Sequence, residues 1–220
     1  MINVALIIEY LPYLLSGALV SLYIALLACL LGLTGGTLLA LAQTSSLRIL
    51  QWPVTLYVTI IRGTPMLIQI AFLYYAILPS LGIVISSLYV AIIAIGMNSS
   101  AYVSQVIRSG ISSVSKGQIE AAKTLGFSST QIITLIILPQ ALRVVLPSLG
   151  NEFITLIKDS SLAYFLGVVE LYKQGVTMRS VSGDAISTYV AVACIYLIMT
   201  TTLSLFMGRL ERRMNQHVRH

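Results

Sequence analysis

No Asp, Glu, Lys or Arg occurs between Glu9 and Arg48, and none occurs between Arg62 and Arg108. A helix crosses the hydrocarbon of a bilayer in roughly 20 residues. The first run therefore holds one crossing and the second holds two. Such a chain has little with which to face water: 57% of it is hydrophobic and 9% is charged, against about 25% charged in a soluble domain. A soluble enzyme is excluded. The sequence predicts one all-α integral membrane domain over residues 1–220.

The first span is expected near Leu11–Ala42, where Gly32, Gly35 and Gly36 let another helix come close. A second is expected from Val54 to Leu78 and a third from Leu88 to Ile107, divided by Pro79, Gly82 and Ser86-Ser87. Apolarity returns at Leu142–Leu166, now carrying charges, and at Ile186–Met207. That makes five spans. Cys29 and Cys194 lie in apolar stretches with no disulfide or metal spacing, and His217 and His220 sit in a polar tail. The N-terminus lacks the basic patch of a signal peptide, and its apolar run is too long for one, so the first helix is expected to stay in the mature protein.

The net charge of +6 reflects topology rather than nucleic-acid binding. Arg48 follows the first span, Arg108, Lys116 and Lys123 follow the third, and Arg209, Arg212, Arg213 and Arg219 follow the fifth. The loop between spans two and three has no charge. That between four and five balances Lys173 and Arg179 against Glu170 and Asp184. The excess of Lys and Arg marks the cytoplasmic side, which places the C-terminus inside and the N-terminus outside.

The longest cytoplasmic loop, about 109–139, carries turn signals. Ser115 with Gln118, and Ser128 with Gln131, have capping-box spacing. Gly126 suits the left-handed residue that ends a helix, and Pro139 is expected to end the next one. Two short helices meeting at a sharp turn follow. An amphipathic hairpin resting on lipid has the same spacing.

Glu120-Ala121-Ala122, then Gly126, then Ile136, Leu138 and Pro139 resemble the EAA motif of ABC importer permeases, with every interval matched. Arg62-Gly63-Thr64-Pro65-Met66-Leu67-Ile68-Gln69 is similar to a segment of the permeases for polar amino acids. So are Asn98-Ser99-Ser100-Ala101-Tyr102, Gly150-Asn151-Glu152-Phe153-Ile154 and Lys158-Asp159-Ser160-Ser161-Leu162. The resemblance, from about Pro12 to Arg213, is to the histidine-, glutamine- and arginine-type group. It implies the type I importer fold in a bacterial inner membrane, with five helices per subunit and two subunits, identical or homologous, around one pathway. Through the loop it implies a coupling helix docked on a separate ATPase, present in two copies. It further implies an extracytoplasmic solute-binding protein and a small polar amino acid as cargo.

Charged groups inside a membrane are costly and face a cavity or one another. At 100° per residue, Asn151, Glu152, Thr155, Lys158 and Asp159 fall within about a 120° sector of the fourth span. Phe153, Ile154, Leu156 and Ile157 fill the rest. A stripe with both signs matches a zwitterionic amino acid, although ion pairs that merely tie helices together have the same pattern. The three charges sum to −1, which leans toward arginine, lysine or histidine; glutamine also fits. On the third span Asn98, Tyr102 and Gln105 repeat at i, i+4 and i+7 on one face, where interhelical hydrogen bonding accounts for them equally well. Asn98 has room beside it, at Gly96 and Ser99. Arg62, about 12 Å into its helix, is expected to snorkel toward the cytoplasm, with Gly63 and Pro65 kinking the helix.

The sequence has no Walker A motif and no dinucleotide turn. It is expected to be non-catalytic and to bind no metal or cofactor itself, with ATP and Mg held by the partner ATPase. A gradient-driven secondary transporter or channel is the main alternative, and a membrane scaffold is a third.

Overall fold

The computed structural model describes residues 2–45 and 47–215, with side chains through Arg213. The tail histidines His217 and His220, and Arg219, lie outside the described residues. Among the described residues, eight helical elements follow one another: α1 (Val4–Thr44), α2 (Arg48–Gly63), α3 (Met66–Ser80), α4 (Ser87–Ser112), α5 (Lys116–Thr124), α6 (Ser129–Leu166), α7 (Leu171–Ser182) and α8 (Ala185–Asn215). Four of them, α1, α4, α6 and α8, are each long and apolar enough to cross a membrane, and α2 with α3 makes a bent fifth crossing. α1 starts before the expected Leu11, with Asn3 as its cap. Its 41 residues reach ~60 Å, about twice the hydrocarbon thickness, so α1 tilts or projects.

α4 is the central helix, with two thirds of its apolar stretch buried. It lies against α1 through a seam of small residues. A Cβ on Gly32 would stand 2.5 Å from Ser99 Oγ, one on Gly36 2.6 Å from Val103 Cβ, and one on Gly96 2.8 Å from Leu31 Cβ. With no aqueous hydrophobic effect between lipid-bathed helices, such close backbone approach supplies the packing energy. The core then closes around Ile24, Ala28, Val90, Ile95, Leu156 and Ile157.

The expected single helix over 54–78 is corrected. α2 and α3 are separate rods that meet at 111°. Pro65 has no N–H to offer the Ile61 carbonyl four residues back, and its ring crowds that turn. The side chain of Gln69 substitutes: its Nε2 donates to Ile61 O at 2.7 Å, and it also lies 2.8 Å from Thr64 Oγ1. The kink expected at Gly63-Pro65 is therefore a break.

Pro139, expected to stop a helix, stands inside one. α6 runs from Ser129 through Leu166 because a π turn over Ile132–Ile137 precedes the proline, with Leu138 N–H donating to Ile133 O. The wider turn carries the Leu135 carbonyl clear of the ring. α3 uses the same device: a π turn over Leu73–Ile77 precedes Leu78-Pro79. The second short helix of the long loop is thus the first part of α6, not a separate element.

One end of the bundle gathers the end of α1, all of α5 and the start of α6. At that end Gly110 of α4 abuts Val145 and Ala141. The opposite end gathers α7 with the starts of α1 and α8, where Asn3 N–H donates to Ser187 Oγ at 2.7 Å.

Candidate functional site

The stripe on α6 faces out of the single protomer. Asn151, Thr155 and Lys158 are exposed, Glu152 and Asp159 are half-buried, and Leu156 and Ile157 are buried inside the bundle. Glu152 is held from α4, where Ser99 Oγ donates to its Oε1 at 2.7 Å. A neutral hydroxyl orients this carboxylate. Thr155 Oγ1 donates to Asn151 O at 3.1 Å, a back-bond along its own helix. Thr155 is therefore engaged locally.

Asn98, only 7% exposed, sits one residue before Ser99. Its Nδ2 donates to Gln69 Oε1 at 2.9 Å. The same Gln69 amide that patches the α2–α3 break thus fixes Asn98, whose Oδ1 is left as an acceptor. One turn further along α4, Tyr102 is 39% exposed, with the Arg62 guanidinium carbon 5.4 Å from its ring centroid. Arg62 is engaged in a cation–π contact, not simply extended toward water. The structure thus brings Ser99 and Glu152 together at the α4–α6 seam, while Asn98 turns to Gln69 of α3, with Tyr102 one turn along the same face as Asn98. Lys158 and Asp159 follow along the stripe toward the α7 end.

In the long loop Gly126 has φ +81°. Phe127 N–H donates to Ala122 O at 3.1 Å and Gly126 N–H to Lys123 O at 3.0 Å. This closes α5 with the paired bonds of a left-handed stop. Ser128 and Gln131 form the expected reciprocal cap. The Ser115 box does not form: Ser115 makes no side-chain cap bond, and Gln118 Oε1 instead accepts from Gln140 Nε2 at 2.7 Å. A tertiary bond to α6 won over the local one. Ala122 packs inward while Glu120, Ala121 and Leu125 point out, Leu125 at 76% exposure. Of the remaining motif residues, Ile136 is half-buried and Leu138 and Pro139 are exposed.

Three residues were not legible as functional. Gln69 carried a signal, since a polar side chain four residues after a proline is placed to replace the lost donor. Ser99 carried a weaker one, a hydroxyl beside Asn98. Glu170, counted in the sequence only among the balanced charges of its loop, is fully buried. It caps α7 by accepting from Tyr172 N–H at 2.7 Å and Lys173 N–H at 2.8 Å. It also accepts from Tyr196 Oη of α8 at 3.2 Å and Ser21 Oγ of α1 at 3.5 Å. Desolvation outweighs those bonds and pushes its carboxyl up to about 6.

A bundle of four crossings, one of them the central α4, and one bent crossing, with a polar α4–α6 seam and a turn held out at one end, is the architecture of an ABC importer permease. It superposes on a crystal structure of an amino acid ABC transporter with histidines at a TM-score of 0.91 and 35% identity, covering 97% of this chain and 99% of that one. The methionine transporter MetNI, at 0.75 and 19% identity, shares the fold.

Residues 32–216 match the family of binding-protein-dependent transport system inner membrane components, and the chain belongs to that family. It is 38% identical to the probable amino-acid ABC transporter permease protein YckA of Bacillus subtilis, over 98% of this chain and 95% of that protein. It is 39% identical to the glutamine transport system permease protein GlnP of Escherichia coli, over 92% and 93%. The chain is a non-catalytic, multi-pass inner-membrane transport subunit.

Proposed function

We propose that this chain, paired with a second identical or homologous permease subunit, forms the pathway of an importer for a polar amino acid. An extracytoplasmic binding protein delivers the cargo, and two copies of an ATPase carrying ATP and Mg drive it. The observation that carries the reading is the polar stripe on α6, open at Asn151, Thr155 and Lys158, with Glu152 fixed by Ser99 of α4 and the buried Asn98 of α4 fixed by Gln69 of α3. Glu152 takes an ammonium or cationic side chain, Lys158 takes the carboxylate, and Asn98 accepts from the amine. Thr155 and Tyr102 flank them, and Asp159 balances Lys158 when the site is empty. Opposite charges in a partly desolvated cavity attract more strongly than in water, and a stripe summing to −1 suits arginine, lysine or histidine. Glutamine is the uncharged candidate, supported by the GlnP relative.

Coupling runs through Glu120, Ala121 and the turn at Gly126, with Leu125 presented to the ATPase. Ala122, Ile136, Leu138 and Pro139 shape the support beneath them. The basic α5 end is cytoplasmic, so the N-terminus lies outside and the C-terminus inside. The family match disfavours the gradient-driven alternative. Uptake by the complete complex, challenged with each common amino acid, tests the cargo. Glu152→Gln and Lys158→Met are expected to cut uptake while the complex still assembles; unchanged uptake and preference in both would make the stripe structural. Cysteines placed at Ser80 and Ser182 are expected to react with an impermeant reagent from outside, and one at Ser113 only after the membrane is opened.

A further inference from the structure

Below the candidate site, toward the α5 end, lies a cavity of about 370 Å³ between the end of α1, α2 and α4. Its polar lining is Gln43, Thr55, Thr59, Arg62, Gln105 and Arg108. None of the chain's seven Asp and Glu residues lines it. Arg108 Nη1 donates to the neutral amide oxygens of Gln43 at 3.0 Å and Gln105 at 3.4 Å. Gln105 Nε2 donates to the same Gln43 oxygen at 3.0 Å. These contacts engage Arg108 with neutral amides and Arg62 with an aromatic face, and among the described residues neither guanidinium meets a carboxylate. Arg62 is exposed and Arg108 half-buried, and two positive charges facing one cavity repel each other. An oxyanion relieves that repulsion, and Arg supplies the planar donor fork that a carboxylate or phosphate fits.

The cavity adjoins the proposed pathway. Asn98, Tyr102 and Gln105 share one face of α4, so Gln105 lies ~10 Å beyond Asn98 along the helix. Arg62, over the Tyr102 ring, stands at the level between. We propose that the Arg62–Arg108 cavity is a second station, which receives the α-carboxylate of the amino acid as it leaves the Asn98–Glu152 seam toward the α5 end. This rests on the transport reading above. The station grips only the carboxylate, a group common to every amino acid, so it acts on release and not on side-chain preference. Its grip is modest, because Arg108 is already bonded to two amides and Arg62 to an aromatic face. No salt bridge has to break for the carboxylate to enter. A phospholipid phosphate has related oxyanion chemistry, and the exposed Ile49 and Trp52 of α2 lie near enough to make lipid the rival occupant.

The test uses the complete complex in lipid nanodiscs, with Cys29 and Cys194 replaced by Ser and a single reporter, Thr59→Cys, in the cavity. Alkylation by N-ethylmaleimide is timed with L-arginine, L-glutamine or the α-amide of each. The free acids are expected to slow labelling by roughly threefold or more, and the amides to leave it unchanged. Arg62→Gln with Arg108→Gln is expected to abolish the protection, and Arg62→Lys to retain part of it. Protection by the amides as strong as by the acids would overturn the assignment. So would protection that follows the anionic-lipid content of the nanodisc instead of the amino acid. If the double variant does not assemble, Arg62→Gln alone decides: loss of protection by the free acids with uptake retained supports the station, and undiminished protection overturns it. Uptake without protection sinks the second station and leaves the transport reading standing. A wild-type complex that imports no amino acid sinks the transport reading itself.

Discussion

Two corners of the molecule are each held by a polar helix cap, yet they are built on opposite plans. At the Gly126 corner the capping bonds are local. Ser128 and Gln131 cap each other three residues apart, the Ala122 and Lys123 carbonyls close α5, and the surface stays exposed. At the Glu170 corner one carboxylate joins α7 to Ser21 of α1, 149 residues away, and to Tyr196 of α8, with no exposure at all. The first corner can be pressed against a partner, released and re-formed without disturbing the bundle. The second is a rivet, and removing it strands donors on three helices.

The largest expected effect tests the rivet. Glu170→Ala orphans two part-buried amides and two hydroxyls, and leaving a buried donor unpaired costs ~1–3 kcal/mol. A loss of about 3 kcal/mol, read as a fall in the melting temperature of the purified subunit, is expected; an unchanged melting temperature would show the corner to be as dispensable as a surface loop.

The rivet is also predicted to depend on pH. Burial raises the Glu170 carboxyl from the usual 4.5 to about 6, so the fold favours its protonated form. That contribution is full below pH 4.5 and is lost as pH rises through 6. It amounts to on the order of 2 kcal/mol. Thermal unfolding between pH 4.5 and 7.5 checks this: wild type is expected to lose stability over that window relative to Glu170→Gln. Parallel curves would show that the carboxylate is as comfortable buried as the amide.

Effects at the Gly126 corner are smaller in stability and larger in coupling. Gly126→Val forces a β-branched residue to φ +81°, at a cost of about 1–2 kcal/mol. Ser128→Ala removes a cap worth ~1 kcal/mol. Both are expected to leave the melting of the bundle nearly unchanged. Gly126→Val is expected to reduce substrate-stimulated ATP hydrolysis in the complete complex. Global unfolding by either variant would erase the contrast between the corners.

The same contrast explains what could be read in advance. The charge-free runs are legible because a bilayer penalises each charge wherever it falls in the fold. The turn at Gly126 is legible because its bonds join residues three to five apart. The Gly32 and Gly36 seam is legible because only small residues permit such an approach. Spacing also marked the Gly63-Pro65 kink, but not its 111° break, which is stabilised by Gln69 reaching back to Ile61 and forward to Asn98. It misplaced the end set by Pro139, because a π turn absorbs the ring. It also predicted a cap at Ser115 that the fold exchanged for the Gln118–Gln140 bond.

The sequence by itself determined the solvent of this protein, the number of its crossings and the position of its exposed turn. Each depends on composition or on hydrogen bonds within one or two helical turns. Only the tertiary structure decided which polar groups are paired. It set Ser99 against Glu152, Gln69 against Asn98, and Ser21 and Tyr196 against Glu170, and it left Arg62 and Arg108 facing one cavity without a carboxylate. The physical reason is that the desolvation of a charge is fixed by what surrounds it, and those surroundings come from helices far apart in the chain.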